Sequence, residues 1–353
     1  MRKRIIVVIL AFLFALVSTY SQNTDLFDLV SDGTPQRVQD AISEGADVNA
    51  RAHDGWTPLM DAAGSNRNPE VISVLLKAGA DVKARDQNGA TALMYAARWN
   101  GQAEAINVLV KSGADIKARD QNGATALMYA ARWTKSPEVI TTLLKAGADP
   151  KTRDADGWTV LMYAAGFNQS PDVITTLLKV SADLKARDKD GATPLMHAAE
   201  YNRNPEVIAS LLHAGADPKA QDSDGRTPLM YAAWGNGDPE VITLLLNAGA
   251  KIKTQAEDSW TALMYAVVFN QSPDVITTLL KAGANPNAHD KDFATPLMYA
   301  AGNQNPEVII ALLQAGADAK AMSKVGKTAI DYAQDNENLK STDAYRRLEE
   351  ASK

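Results

Sequence analysis

The stretch DGWTPLMDAA, at residues 54–63, decides the fold because altered copies of it recur along the whole chain. Its threonine returns every 34 residues, at Thr91, Thr125, Thr159, Thr193, Thr227, Thr261 and Thr295. A degenerate copy begins at Thr328, and two longer stretches are repeated without change: Lys83–Trp99 matches Lys117–Trp133, and Phe167–Lys179 matches Phe269–Lys281. The chain is therefore a tandem array, although 353 residues would otherwise allow two or three independent domains.

Each copy contains the signals for two short helices. An Asp-Gly pair at 54–55 predicts a turn, and Thr57 is placed to cap a first helix that begins with proline. Asn-Pro-Glu at 68–70 predicts a second helix, whose apolar residues in 71–76 form one stripe. Gly79 predicts the end of that helix. One such unit cannot bury its own stripe, so neighbouring units must stack.

The opening Asp-x-x-Gly-x-Thr-Pro-Leu-x-x-Ala-Ala and the closing Leu-Leu-x-x-Gly-Ala-Asp resemble the ankyrin repeat. A tetratricopeptide repeat also has 34 residues but lacks this turn motif. The resemblance implies an all-α ankyrin-repeat solenoid of stacked helix–turn–helix pairs with β-hairpin-like loops. We predict a partial capping repeat at 22–52, eight repeats at 53–322 and a polar capping repeat at 323–353.

Residues 1–21 have the pattern of a secretory signal peptide. Three basic residues at 2–4 precede thirteen apolar residues at 5–17, and small or hydroxylated residues follow. The apolar run is shorter than the roughly 20 residues that span a bilayer, although an uncleaved anchor is the alternative. We expect an exported protein, periplasmic or secreted, that does not insert into the membrane after cleavage. Removing the segment changes the formal net charge from −6 to −9, which disfavours binding to nucleic acid.

The composition offers little to catalysis. The chain has no cysteine, and its four histidines are scattered, at His53, His197, His213 and His289. No Gly-rich phosphate loop or activated nucleophile is present, so we predict no enzyme activity, no metal site and no cofactor. Methionine replaces the histidine usual in the family's Thr-Pro-Leu-His in every full repeat, at Met60, Met94, Met128, Met162, Met196, Met230, Met264 and Met298. Copper(I) binding and core packing are the two readings, and the spacing of stacked helices favours packing.

In the ankyrin family the first helices and the hairpin tips line a concave face, and the positions after Ala-Ala commonly contact partners. Here the resemblance assigns that role to Arg98, Trp99, Arg132, Trp133, Phe167, Tyr201, Trp234 and Phe269. A second series follows the methionines, at Tyr95, Tyr129, Tyr163, Tyr231, Tyr265 and Tyr299. These tyrosines either bind the partner or stack repeat on repeat. Trp, Tyr and Arg are the side chains that most often dominate binding energy.

Four bulky residues stand at hairpin tips where alanine is otherwise usual: Trp56, Trp158, Arg226 and Trp260. Each tryptophan is either a partner anchor or a cover over its own repeat. Basic residues beside acids, such as Arg85 and Asp86, predict a solvated, self-paired ladder of charges. Ser259 and Phe293 replace the turn glycine, so we expect their two hairpins to be reshaped.

The sequence predicts an exported, monomeric, non-catalytic protein that binds another protein through its concave face. Two alternatives remain, a structural spacer in the periplasm or at the cell surface and binding of cell-wall glycans by the aromatic groove. The sequence leaves open the partner, the source organism, the cleavage site and the choice between periplasm and exterior.

Overall fold

The computed structural model describes residues 26–180, 182–302, 305–334 and 336–353. The predicted signal peptide at 1–21 lies outside these ranges. Over the described part of the chain the structure is helical, and its only β-bridge is the isolated antiparallel pair Arg153 and Thr159. The all-α prediction is therefore confirmed. Among the described helices, none is long and apolar enough to cross a membrane.

The first helix of each repeat begins directly after the recurring threonine. The Oγ1 of Thr57 accepts the backbone N–H of Met60 at 3.3 Å, which satisfies one of the free donors at the helix start. The methionine sulfur also accepts the N–H of that threonine in several repeats, as from Thr125 to Met128 at 3.4 Å. The first helices are Pro58–Ser65, Ala92–Tyr95 continued by the π-helix Ala96–Asn100, Ala126–Trp133, Val160–Phe167, Pro194–Tyr201, Pro228–Gly235, Ala262–Tyr265 continued by the π-helix Ala266–Asn270, and Pro296–Gly302.

The second helices are nine residues long and begin after an Asn, Ser, Asp or Gln. Asn68 caps one of them by accepting the backbone N–H of Glu70 at 3.0 Å. The centre of their apolar stripe is completely buried, as at Val71, Ile72 and Leu75, while Leu76 is half-buried. The second helices are Pro69–Lys77, Ala103–Lys111, Pro137–Lys145, Pro171–Lys179, Pro205–His213, Pro239–Asn247, Pro273–Lys281 and Pro306–Gln314.

Further helices stand at both ends of the array. Residues 26–32 are helical, and the helix Pro35–Ser43 follows them. Beyond the last repeat come the helices Ala329–Ala333, Glu337–Lys340 and Asp343–Ala351. The described chain falls into two compact units, unit 1 with residues 26–160 and the segment around 179–182, and unit 2 with residues 161–178 and 183–353.

Hairpin loops join consecutive repeats within each unit. The backbone N–H of Gln87 donates to the carbonyl of Asp54 at 3.0 Å, and the same bond recurs 34 residues later between Gln121 and Asn88. The guanidinium of Arg85 donates to the carbonyls of Gly89 and Arg119, at 2.7 and 2.6 Å. The expected self-paired charge ladder is wrong at this residue, because the arginine bonds carbonyls of its own repeat and the next one.

The hairpins of Ser259 and Phe293 are not reshaped, so that expectation is wrong. Ser259 has a φ of 69° and Phe293 a φ of 57°, close to the φ of 78° at Gly89. Both loops keep the usual turn, because the Ser259 N–H donates to Ala256 at 2.9 Å and the Phe293 N–H to Asp290 at 3.1 Å. Bonds to neighbouring hairpins hold the loop geometry, and the substituted residue adopts the left-handed conformation.

Buried asparagines between the two helices form a second set of ties. The side-chain amide of Asn202 donates to the carbonyls of Ala165 and Asn168, both at 2.8 Å, and its oxygen accepts the Asn204 N–H. Equivalent bonds start from Asn66, Asn100, Asn236 and Asn270. We did not predict these ties from the sequence, although asparagine recurs there in 34-residue steps.

Candidate binding surface

The predicted binding series lies at the ends of the first helices, and four of its aromatic side chains reach solvent. Trp99 is 48% exposed, Trp133 47%, Tyr201 44% and Phe269 50%. The other residues of the predicted binding series are half-buried: Arg98, Arg132, Phe167 and Trp234. Large aromatic groups with this exposure differ from the fully buried leucines beneath them, and they are therefore available for contact with another molecule.

In unit 1 these residues form one cluster, which we call the unit 1 patch: Trp56, Tyr95, Arg98, Trp99, Tyr129, Arg132 and Trp133. The rings of Tyr95 and Trp99 stack with centroids 5.2 Å apart, and Trp56 lies 4.5 Å from Tyr95. The Trp99 ring can pack closely against the preceding repeat because Gly64 has no side chain there. A Cβ at Gly64 would lie 3.0 Å from the indole.

Unit 2 contains a longer cluster, the unit 2 patch: Phe167, His197, Tyr201, Arg226, Tyr231, Trp234, Trp260, Tyr265, Phe269 and Tyr299. Its first part stacks Phe167 on Tyr201 with centroids 5.5 Å apart. Its second part centres on Trp234, which lies 5.2 Å from Phe269. Trp260 extends this part to the next repeat, with its ring 5.1 Å from that of Tyr299.

Hydroxyls of the tyrosine series donate hydrogen bonds to aspartates of the hairpins. The hydroxyl of Tyr129 donates to the Oδ2 of Asp120 at 2.8 Å, and that of Tyr231 to Asp222 at 2.7 Å. The other oxygen of each aspartate accepts hairpin N–H groups, such as that of Ala124 at 2.8 Å. The pairs Tyr95–Asp86 and Tyr299–Asp290 repeat the arrangement, and in one repeat His197 takes the place of tyrosine beside Asp188.

This pairing fixes the hairpins to the first helices. Burial raises the pKa of Tyr129 and Tyr231, and the hydrogen bond to the aspartate raises it further. Tyr265 differs, because Ala256 stands where the aspartate would be, yet burial still raises its pKa to about 12. Tyr163 is half-buried in the same position of its repeat. The rings of the series support the exposed tryptophans, while most of the hydroxyls face the hairpins.

The hairpin-tip residues pack between repeats. Trp56 contacts Tyr95 and Trp99 of the following repeat, and Trp260 contacts both its own repeat and the next. Arg226 lies 5.6 Å from the ring centroid of Trp234 and pairs with Asp222 at 2.8 Å. Trp158 is also half-buried. Trp56 and Trp260 therefore do more than cover their own repeat, since each contacts two repeats and leaves part of its ring in solvent.

Glu200 stands beside Tyr201 at the position after Ala-Ala, where the resemblance to the ankyrin family places partner contacts. It lines a groove of about 600 Å³ with Tyr201, Arg203 and Asp238. Burial raises the pKa of Glu200, while Tyr201, His197 and Arg226 oppose the shift. Glu200 also stands out in the sequence, because the same position holds Arg, Gly, Trp or Val in the neighbouring repeats.

The methionines lie inside the repeats. Met60 and Met196 are fully buried, and the sulfur of Met196 accepts a backbone N–H at 3.3 Å. Their environment is the core between helices, as the packing reading requires. Within the ranges that the structure describes, no group of three or more His, Cys, Asp or Glu is arranged to hold a metal.

The family model described as ankyrin repeats (3 copies) matches residues 26–120, 127–222, 195–290 and 263–345. A comparison with curated proteins gives no match. The matched ranges cover most of the chain and contain the capped helix pairs and hairpins described above. Ankyrin repeats generally mediate protein–protein interaction, and the family is typically non-enzymatic. The repeat motif, the helix pairs and the family match together show that this chain belongs to the ankyrin-repeat family.

Proposed function

We propose that this protein is exported and binds another protein through the unit 1 and unit 2 patches, without catalysis of its own. The observation that carries the proposal is the set of exposed aromatic side chains at the same helical position in four of the repeats. Trp99, Trp133, Tyr201 and Phe269 remain in solvent although the stack buries the apolar residues around them. Exposed clusters of Trp, Tyr and Arg are typical of protein-binding sites.

The same side chains are held in place before any partner arrives. Ring contacts fix Trp99 and Phe269, and hydrogen bonds between repeats fix the hairpins behind them. A preformed surface loses little conformational entropy on binding, so its contacts contribute more fully to affinity. A contact area of about 800 Å² on each partner is ordinary for a specific complex.

The test is capture of a partner by the purified protein, used as bait in an extract of the exporting cell and its surroundings. The comparison variant changes Trp99, Trp133, Phe167, Tyr201 and Phe269 to alanine. We expect a protein that the native chain retains and the variant loses. A matched control changes the exposed Phe293, Met322 and Val325 to alanine and should retain the same protein. Circular dichroism and urea unfolding establish that each variant is folded.

Equal retention by native chain and variant would contradict binding by these patches, and the spacer would then be the better account. Retention of wall polysaccharide in place of a protein would favour the glycan alternative, since aromatic rings also stack on sugars. Export is tested separately by fractionating the cells and measuring the mass of the product. A product lacking about 21 residues outside the cytoplasm supports the signal peptide; a full-length cytoplasmic product contradicts it.

A further inference from the structure

The series of aromatic residues at the ends of the first helices skips one repeat. The position two residues after Ala-Ala, or after Ala-Val in one repeat, is aromatic at Trp99, Trp133, Phe167, Tyr201 and Phe269, but it is glycine at Gly235. The ring of that repeat belongs instead to Trp234, which lies 5.2 Å from Phe269 of the following repeat. Tyr201 therefore stacks on Phe167 of the preceding repeat and has only a glycine at the equivalent position of the next one.

This missing ring leaves the groove of about 600 Å³ that Tyr201 and Gly235 both line. A Cβ at Gly235 would lie 2.7 Å from the Cγ of Glu200, so the glycine lets the Glu200 side chain lie across it. Gly237 also lines the groove, and a Cβ there would meet no atom within 4 Å. Ligand pockets of proteins have volumes of about 300–1,000 Å³, so the groove has room for a side chain of another protein.

The lining of the groove is more acidic than basic. Its charged groups are the carboxylates of Glu200 and Asp238 and the guanidinium of the exposed Arg203. Arg226 also acts on Glu200, but two aspartates of its own hairpin bind its guanidinium at 2.8 and 2.6 Å and balance its charge. Glu200 is half-buried, and burial makes the charge of a carboxylate costly unless a cation lies beside it. A cation that enters the groove would offset this cost.

We propose that this groove receives the lysine or arginine side chain of a partner protein, with its charged end at Glu200 and its stem against the ring of Tyr201. The proposal rests on the proposed function and names the chemistry of one contact within it. Ammonium and guanidinium groups donate charge-assisted hydrogen bonds to carboxylates, and aromatic rings attract them further. A neutral or acidic side chain would leave the half-buried carboxylate without a counter-ion, so the groove favours a base.

The test is an NMR titration of the isotope-labelled full-chain protein, which follows the backbone amide signals of Gly235 and Gly237. The ligands are N-acetyl-lysine methylamide and N-acetyl-arginine methylamide. Their neutral counterparts of similar shape are N-acetyl-norleucine methylamide and N-acetyl-citrulline methylamide. We expect at least one basic ligand to bind with a Kd at least about tenfold below that of its neutral counterpart, because only the base forms a charge-assisted bond to Glu200.

Two variants test the groove separately for charge and for space. Glu200→Gln keeps the size of the side chain and removes its charge, so the Kd of the basic ligand should rise about tenfold. Gly237→Leu fills the groove from a position that is open to a Cβ, so the signal of Gly235 should no longer shift. The control Glu138→Gln removes an exposed carboxylate from the first turn of the second helix Pro137–Lys145 and should leave the Kd unchanged.

Three results would overturn the proposal: equal Kd values for both basic ligands and their neutral counterparts, an unchanged Kd in Glu200→Gln, or undiminished binding by Gly237→Leu. The proposed function fails independently of these outcomes. If Glu200→Gln captures with unchanged affinity a protein that the five-alanine variant loses, protein binding stands and the basic side chain in this groove is wrong.

Discussion

Phe293 and Ser259 hold a left-handed backbone conformation that ordinarily belongs to glycine. Both follow the sharp turn of a hairpin, at φ values of 57° and 69°, and the bonds of the neighbouring loops keep them there. Side chains with a Cβ pay about 1–2 kcal/mol in this region, because the Cβ crowds the following carbonyl oxygen. The phenyl ring of Phe293 gains little in return, since the residue is 52% exposed.

We predict that Ser259→Gly and Phe293→Gly each raise the free energy of unfolding by about 1 kcal/mol, as glycine relieves the strain. Urea denaturation followed by circular dichroism measures the change. The inverse substitution Gly326→Ala serves as control, because φ is 74° there and no atom lies within 4 Å of the added Cβ. It should lower stability by a similar amount. Unchanged stability in all three variants would show that the loops relax at no cost.

A second prediction concerns the tyrosine hydroxyls. Tyr129→Phe removes the donor to Asp120 and leaves a carboxylate oxygen without its partner, so stability should fall by about 1.5–3 kcal/mol. Tyr265→Phe is the matched control, since Ala256 stands in place of the aspartate that would accept the hydrogen bond of the hydroxyl. Its effect should stay within about 0.5 kcal/mol. Equal losses in urea unfolding would mean that the aspartate bond contributes nothing.

At the scale of the helix pair, two repeats that share an identical stretch of sequence end their first helices differently. Phe167–Lys179 and Phe269–Lys281 are identical, yet the first helix before Asn168 is α-helical throughout and the one before Gln271 ends in a π-turn. Gln271 takes a φ of 58°, and its N–H donates to Ala266 at 2.8 Å. The residues preceding the identical stretch differ, with Gly166 in one repeat and Val268 in the other.

The asparagine ties join neighbouring helix pairs through hydrogen bonds to backbone carbonyls. Asn202 is completely buried, and its side-chain amide donates to two backbone carbonyls that water cannot reach. We predict that Asn202→Ala lowers the free energy of unfolding by at least about 2 kcal/mol, because two carbonyls lose their donor. The exposed Asn247→Ala at the end of a second helix should change it by less than about 0.5 kcal/mol. Similar urea midpoints for both variants would contradict the role of the ties.

At the scale of the whole molecule, the tyrosines couple stability to alkaline pH. Burial raises the pKa of Tyr201 and Tyr265 to about 12, and Tyr95, Tyr129, Tyr231 and Tyr299 shift in the same direction. An unfolded tyrosine ionises near pH 10. The unfolded state then releases protons that the folded state retains, so the tyrosines' contribution to stability is constant below about pH 10 and is lost as the pH rises further.

We predict that the urea midpoint decreases steadily from about pH 10 upward, with tyrosinate absorbance at 295 nm appearing together with unfolding. Tyr129→Phe/Tyr231→Phe should flatten this decrease, since two of the shifted groups are removed. Tyrosinate absorbance that reaches its full amplitude near pH 10 while the helical signal is intact would show that the hydroxyls are not protected.

The sequence by itself determined the repeat, the two helices of each unit and their buried stripe. These follow from chemistry within a few residues: Thr57 and Asn68 bind N–H groups of the turn that follows them, and glycine permits the loop. The exposure of Trp99 and Phe269 follows from their place in the repeat, because each stands about one helical turn beyond a buried alanine.

Tertiary structure decided which polar groups meet. Arg85 bonds a carbonyl 34 residues away, Asn202 bonds one 37 residues away, and the guanidinium of Arg98 lies between two repeats. Their sequence neighbours favour other partners, such as the acid beside Arg85, so the pairing exists only once the repeats are stacked. The same stacking holds Phe293 at a positive φ, where local preference alone predicted a different loop.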